Sequence, residues 1–223
     1  MKRLFFVFTI VCSFALTSCF NIIEEVAINR NGSGTYKNTL DMSQMMGMVS
    51  AFMPDSVKQM TGEMEKGMTS SLGDLKKIKG ISNVSSTSEG DFIYSISYTF
   101  DNTNALNKAI TASKKGDKFL GAMGSSYEIK GKKLHRKTFL NPDEESDTFG
   151  GEDFDMEEMQ GIMGMLNSPT YKIIYHLPKK VKKLKVEGTE AKYEKDANRV
   201  EIEYDLLKMI SDKNVSIDHF VKY

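Results

Sequence analysis

Cysteine is nearly absent from this sequence. Only two of the 223 residues are cysteines, Cys12 and Cys19, and both lie near the N-terminus. The chain from residue 20 onward therefore has no thiol. This excludes a disulfide framework, a cysteine nucleophile and a thiolate metal site in that part of the chain. We expect the fold to be held together by packing alone.

The sequence also has no excess of charge of either sign. Thirty lysine and arginine residues balance thirty aspartate and glutamate residues, so the formal net charge is +0. A protein that mainly binds nucleic acid presents a basic excess to the phosphates. The charge balance therefore argues against a nucleic-acid partner.

Familiar catalytic motifs are missing as well. The sequence has no His-Glu-x-x-His, no Gly-x-Ser-x-Gly and no serine followed three residues later by lysine, and Gly32-Ser33-Gly34 lacks the Gly-Lys-Ser/Thr of a phosphate loop. His135, His176 and His219 are far apart in sequence, and we expect each to face water or to lie at a half-buried strand edge. We therefore expect a protein that is not an enzyme and that needs no cofactor.

The N-terminus, in contrast, carries a strong signal. Lys2 and Arg3 precede an apolar run from Leu4 to Leu16, which is typical of a secretory signal and too short to span a membrane. Leu16-Thr17-Ser18-Cys19 then matches a bacterial lipobox, in which the cysteine is lipidated. We predict a signal peptide over 1–18 and a single envelope domain over 19–223, with a short tether and with Cys19 as the membrane anchor. Because Phe20 follows in place of aspartate, we predict the outer membrane, facing the periplasm.

Methionine is abundant, with 15 residues, and it is concentrated in two segments. The first runs from Met42 to about Lys77 with helical spacing, capped by Asp41 or Ser43 and divided at Pro54. The second is Met156 to Leu166. Methionine at this spacing is typical of core packing, but its flexible side chain also suits an adaptable apolar groove. Thioethers also bind Cu(I), and Met42, Met45 and Met46 are the cluster best spaced for it.

The strongest strand pattern runs from Phe92 to Phe100. Every second residue is large and apolar, which predicts one buried face. Asn31-Gly32 predicts a tight turn between strands near Ile22–Ile28 and Gly34–Leu40. Strands and helices do not alternate regularly. The sequence therefore predicts an α+β fold, an antiparallel sheet with two or three amphipathic helices on one face.

Five lysines surround Val181 and Leu184 in the last third of the chain, namely Lys179, Lys180, Lys182, Lys183 and Lys185. Such a cluster at a membrane would attract anionic headgroups. It is also typical of a solvent-facing strand whose lysines discourage pairing at the sheet edge. The sequence leaves both interpretations open.

Short motifs in several places resemble a known family of envelope proteins. They are the lipobox, Ala27-Ile28-Asn29-Arg30-Asn31-Gly32-Ser33-Gly34, Gly80-Ile81-Ser82-Asn83-Val84 leading to Tyr98-Thr99-Phe100, and Leu177-Pro178-Lys179-Lys180-Val181. Together they resemble the LppM-type lipoprotein domain. The resemblance implies a location at the cell envelope and an association with lipid binding, and it brings no catalytic residues.

These observations lead us to expect a lipid-anchored, non-catalytic binding module for an apolar ligand or lipid. The expected cleft lies between the methionine helices and the aromatic strand, and its residues are Met60, Met64, Met68, Phe92, Tyr94, Ile96, Tyr98, Met159 and Met163. Expected partners are the membrane, through acylated Cys19, and a lipid or an envelope protein. One alternative is a structural or assembly role at the outer membrane, and a second is copper binding by methionine.

Overall fold

The computed structural model describes residues 20–52, 54–90, 92–114, 123–140, 169–187, 191–211 and 216–223. In these ranges the strands are β1 Asn21–Ile28, β2 Gly34–Asp41, β3 Ile81–Glu89, β4 Ile93–Phe100, β5 Met123–Lys130, β6 Lys133–Leu140, β7 Thr170–His176, β8 Lys183–Val186, β9 Ala191–Asp196, β10 Arg199–Asp205 and β11 His219–Lys222. The helices are α1 Ser43–Phe52, α2 Pro54–Leu75, α3 Thr103–Lys114 and α4 Leu206–Ser211.

The predicted α+β class is confirmed, and the strands form two sheets. The large sheet has seven strands in the order β3-β4-β2-β1-β7-β10-β9, and the small sheet has four in the order β5-β6-β11-β8. The neighbours β1 and β7 are parallel, whereas the other described pairs are antiparallel. The single antiparallel sheet of the sequence-based expectation is thus divided in two, and its centre contains one parallel pair.

One face of the large sheet forms most of the core. Alternate residues of β1 point to this inner face, and the register continues it across neighbouring strands, where Tyr36 lies opposite Val26 and Tyr171 lies opposite Ile22. The buried part of the inner face is therefore mainly aromatic and aliphatic, and Glu24, which is 2% exposed, places a charge within it. The opposite face is more polar, as expected for a sheet with one covered side.

The small sheet covers this inner face. Tyr127 on β5, Arg136 on β6 and His219 on β11 lie in one row across the small sheet, since Tyr127 pairs with Arg136 and Arg136 pairs with His219. All three side chains are buried. Their polar atoms bond to residues of β1 and β7, as described below, so the row joins the two sheets.

The tight turn after β1 is confirmed, but it is not the type I′ turn, with positive φ at both central residues, that Asn-Gly favours. Gly32 is left-handed with φ of 86°, whereas Asn31 is not among the residues with positive φ. The loop closes instead through a hydrogen bond from the Asn29 amide to the Ser33 carbonyl at 2.8 Å. Gly34 then starts β2, and a Cβ there would lie 2.0 Å from the Ala27 carbonyl oxygen, so only glycine fits.

The first methionine segment forms two helices, as the sequence pattern predicts, whereas the second, Met156 to Leu166, lies outside the described residues. Helix α1 ends at Phe52 and α2 begins at Pro54, as predicted from the proline. Helix α2 packs against α1, α3 and the edge strand β3. Helix α3 protects the edge of the small sheet, because the Asn107 side chain accepts from the Tyr127 amide at 2.8 Å and donates to the Tyr127 carbonyl at 2.9 Å.

Candidate functional site

The predicted cleft residues divide between the core and its margin. Tyr94 and Tyr98 are buried, and four more are half-buried against the core, namely Met64, Met68, Phe92 and Ile96. Phe92 precedes the strand and lies in a turn with φ of 76°, so β4 begins one residue later than predicted. Met159, Met163 and Cys19 lie outside the described residues, and so does the side chain of Met60.

Two residues on the inner face of the large sheet, near the predicted cleft, carry polar side-chain atoms without hydrogen-bond partners. The Tyr98 hydroxyl and the Asn38 amide oxygen are buried, and neither has a hydrogen-bond partner in the described part of the chain. Tyr98 lies opposite Tyr36, and Asn38 lies opposite Ile96, so the two are diagonal neighbours on the inner face. Buried polar groups are nearly always paired, so each of these two atoms needs an explanation.

The surroundings of Tyr98 fix its protonation state. Its ring stacks on Tyr36, with 5.0 Å between the ring centroids and an interplanar angle of 17°. Burial, and next the negative charge of Glu24, raise the pKa of Tyr98 well above its ordinary value. The hydroxyl therefore keeps its proton and is available as a donor as well as an acceptor.

Close to this point the two sheets meet at a buried charge cluster that the sequence did not reveal. The Glu24 carboxylate accepts hydrogen bonds from the hydroxyls of Tyr127 and Tyr171, one on each oxygen. It also accepts from the Arg136 guanidinium, with 3.3 Å between Nη2 and Oε2. The Glu24 and Arg136 side chains are only 3% and 1% exposed. Two opposite charges are thus held in the interior as a hydrogen-bonded pair.

Arg136 makes further contacts that hold it in place. Nη2 donates to the Tyr171 hydroxyl and Nη1 to the Thr138 hydroxyl, each at 2.9 Å. The guanidinium carbon lies 5.9 Å from the ring centroid of Tyr127 and 5.8 Å from that of Tyr171. These bonds satisfy both terminal nitrogens, whereas the buried Nε has no hydrogen-bond partner in the described part of the chain. A buried ion pair depends on such additional hydrogen bonds, so the contacts of the two terminal nitrogens help to offset its desolvation.

His219 extends the cluster toward β7. Its Nε2 bonds to the Tyr175 hydroxyl, and its Nδ1 lies 3.0 Å from the Ile217 carbonyl oxygen. Burial, and next the positive charge of Arg136, lower the pKa of His219 to about 3. The imidazole is therefore neutral, with Nδ1–H donating to Ile217 and Nε2 accepting from Tyr175.

The expectation for the histidines is wrong for one of the three. His176 is exposed and His135 is half-buried, but His219 is 1% exposed and lies in the core. Local sequence indicated water-facing positions because the partners of His219 are far away in the chain. Glu24 was missed for the same reason, since Ile22-Ile23-Glu24-Glu25 places one glutamate on each face and only the register selects Glu24 for the interior.

The methionines proposed for copper are mainly core residues. Met42 and Met46 are 5% and 0% exposed, and Met45 is half-buried beside them. Met42 immediately precedes α1, and its carbonyl accepts from the Met46 amide at 2.9 Å. Within the described ranges, no group of three or more histidine, cysteine, aspartate or glutamate residues is placed to hold a metal ion.

Comparisons with known proteins give one distant structural likeness. No family model matches the chain, and no curated protein matches it in sequence. The NMR structure of the folded domain of Mycobacterium tuberculosis LppM is similar to this chain with a TM-score of 0.45 and 8% sequence identity, over 92% of this chain and 91% of that one. None of the helices in the described residues is both long and apolar enough to span a bilayer.

Proposed function

We propose that this protein is a lipid-anchored, non-catalytic binding module of the bacterial cell envelope that holds an amphiphile with an apolar chain and a polar head. The observation that carries the proposal is the pair of unpartnered polar groups on the inner face, the Tyr98 hydroxyl and the Asn38 amide oxygen. Ligand sites are mostly apolar and contain a few well-placed polar groups that fix orientation. A hydroxyl or protonated carboxyl head would accept from the Tyr98 hydroxyl and donate to the Asn38 amide oxygen.

The apolar lining also favours an amphiphile. Tyr94 and Tyr98 supply aromatic surface, and Met64 and Met68 are half-buried against the same core. Methionine side chains adjust to ligands of different shape because they are unbranched and flexible. An acyl chain is an apolar ligand of variable shape, so this lining suits it.

Helix α2 has properties that would let it move to admit such a ligand. At Gly62 and Gly67 a Cβ would meet nothing within 4 Å, so close packing does not require glycine at either position. Each glycine costs a helix about 1 kcal/mol relative to alanine. A helix that carries this cost and is half-exposed along much of its length belongs to the less stable parts of a structure, from which binding elements are drawn.

Removing the Tyr98 hydroxyl by substitution tests the proposal through two quantities, the free energy of unfolding and the affinity for a ligand. In Tyr98→Phe the free energy of unfolding should stay the same or rise by about 1 kcal/mol, because an unpaired buried hydroxyl is removed. The affinity for a fluorescent fatty acid should fall about tenfold, because the head loses a donor. Urea denaturation and probe titration on the same samples give both values.

Tyr193→Phe is the matched control, since Tyr193 is 58% exposed on the edge strand β9. It also removes a tyrosine hydroxyl, and it should change neither the free energy of unfolding nor the affinity for the fatty acid. Equal affinities for the wild-type protein and Tyr98→Phe would exclude this hydroxyl as the anchor of the ligand head.

The membrane anchor is a separate part of the proposal, supported by the lipobox in the sequence. In Cys19→Ala the protein should lose acyl labelling and move from the membrane fraction to the soluble fraction. Phe20 at the following position supports sorting to the outer membrane, which density fractionation of the wild-type protein measures. A Cys19→Ala protein that still incorporates label and pellets with membranes would contradict lipidation at this residue.

A further inference from the structure

The small sheet carries a row of lysines that the sequence pattern did not connect. Lys130 on β5 lies opposite Lys133 on β6, Lys133 lies opposite Lys222 on β11, and Lys222 lies opposite Lys183 on β8. Each of the four strands therefore contributes one lysine at the same level. With about 4.8 Å between strands, the row extends over roughly 14 Å.

These lysines face away from the protein. Leu134 and Val221, the sequence neighbours of Lys133 and Lys222, are fully buried, so the strand alternation directs the lysines outward. All four lysines are exposed. The row therefore lies on the outer face of the small sheet, in contact with solvent.

The loops at this end of the sheet add more lysines. The Tyr223 amide donates to the Lys132 carbonyl at 3.0 Å, and the Lys182 amide donates to the Lys222 carbonyl at 2.7 Å. Lys179 and Lys180 lie directly before this segment and are also exposed. We call the following set the lysine edge: Lys130, Lys132, Lys133, Lys179, Lys180, Lys182, Lys183 and Lys222.

Little negative charge in the described residues balances the lysine edge. Lys130 pairs with Glu128 on the same strand, and Lys185, just beyond the edge, pairs with Glu187. No carboxylate of the described ranges forms an ion pair with the other members of the edge. Like charges directly opposite each other destabilise a sheet. Packing does not require four of them in a row on a solvent-facing surface.

We propose that the lysine edge docks on the anionic surface of a lipid bilayer and contacts its headgroup phosphates. The charges lie along one edge of a sheet face, so several of them can approach a planar surface together. The secretory signal in the sequence directs the chain to the envelope, where bilayers present phosphate at high density. Each lysine near an anionic surface strengthens binding by roughly fivefold. The proposal depends on neither the acylation of Cys19 nor the amphiphile near Tyr98.

The test uses the mature chain, residues 19–223, with Cys19→Ser so that acylation cannot contribute to binding. We expect it to sediment with vesicles of equal parts phosphatidylglycerol and phosphatidylcholine, and not with phosphatidylcholine alone. Lys133→Glu combined with Lys222→Glu should weaken binding to the anionic vesicles at least tenfold. Added salt should weaken the binding of the unsubstituted protein to the same vesicles. Lys66→Glu combined with Lys192→Glu, on helix α2 and strand β9 and so outside the small sheet, has the same net charge and should bind as the unsubstituted protein does.

Two results would overturn the proposal. One is an equal loss of binding in both double variants, which would show an effect of net charge without a docking surface. The other is binding of inorganic polyphosphate without binding of the anionic vesicles, which would assign the edge to a soluble polyanion. If the strand variant does not fold, Lys179→Glu combined with Lys180→Glu changes the same edge outside the strands and replaces it in the comparison.

Discussion

Replacing Arg136 with methionine is expected to lower the free energy of unfolding by about 3–5 kcal/mol. The substitution leaves the Glu24 carboxylate buried between the two sheets without its cation, while Tyr127 and Tyr171 still donate to it. Methionine fills much of the volume, so the loss reports mainly on the uncompensated charge. Urea denaturation at neutral pH measures it.

A double-variant cycle separates the ion pair from simple loss of packing. In Glu24→Gln combined with Arg136→Met no net charge is buried, so we expect part of the stability to return. Glu187→Gln breaks the exposed pair with Lys185 and should leave stability unchanged within error. An Arg136→Met protein as stable as this control would mean that the pair does not hold the sheets together.

Acidification is expected to destabilise the protein through His219, with the loss beginning well above the pH range of carboxylate titration. In the folded state the pKa of His219 is about 3, because burial and the charge of Arg136 disfavour the imidazolium, whereas the ordinary value is 6.5. Above pH 6.5 the imidazole is neutral in both states and contributes nothing. Between pH 6.5 and 3 only the unfolded state binds the proton, so stability falls by about 1.4 kcal/mol per pH unit.

His219→Gln removes this titration and keeps a side chain that donates and accepts hydrogen bonds. Between pH 6.5 and 4 the variant should lose about 3 kcal/mol less stability than the wild-type protein does. The comparison of slopes cancels contributions from carboxylates whose pKa is lowered, such as Glu201, which both proteins share. Parallel pH curves for the two proteins would refute the assignment of a neutral buried imidazole.

Local pattern was enough to predict much of the fold. The alternation of β4, the turn after β1 and the break at Pro54 all depend on residues close in sequence, and all are confirmed. In these places propensity and periodicity agree with the tertiary structure.

Contacts between residues far apart in the chain could not be predicted from the sequence. The parallel contact of β1 with β7 joins residues more than a hundred positions apart, and so do the bonds of Glu24 to Arg136 and Tyr171. The lysine row has the same origin, since Lys133, Lys222 and Lys183 become neighbours only through strand register. Periodicity identifies a buried face, but it does not say which distant side chains meet there.

The central claim is that the inner face near Tyr98 holds an amphiphile, and direct detection of that ligand tests it best. The protein with Cys19→Ser, purified from its native host, is extracted with organic solvent, and the extract is analysed by mass spectrometry for lipid. The same protein is titrated with a fluorescent fatty acid and then with an unlabelled competitor. We predict a co-purifying lipid and saturable, competitive probe binding. A folded protein with no extracted lipid and no saturable binding would contradict the claim and leave the structural or assembly role as the better account.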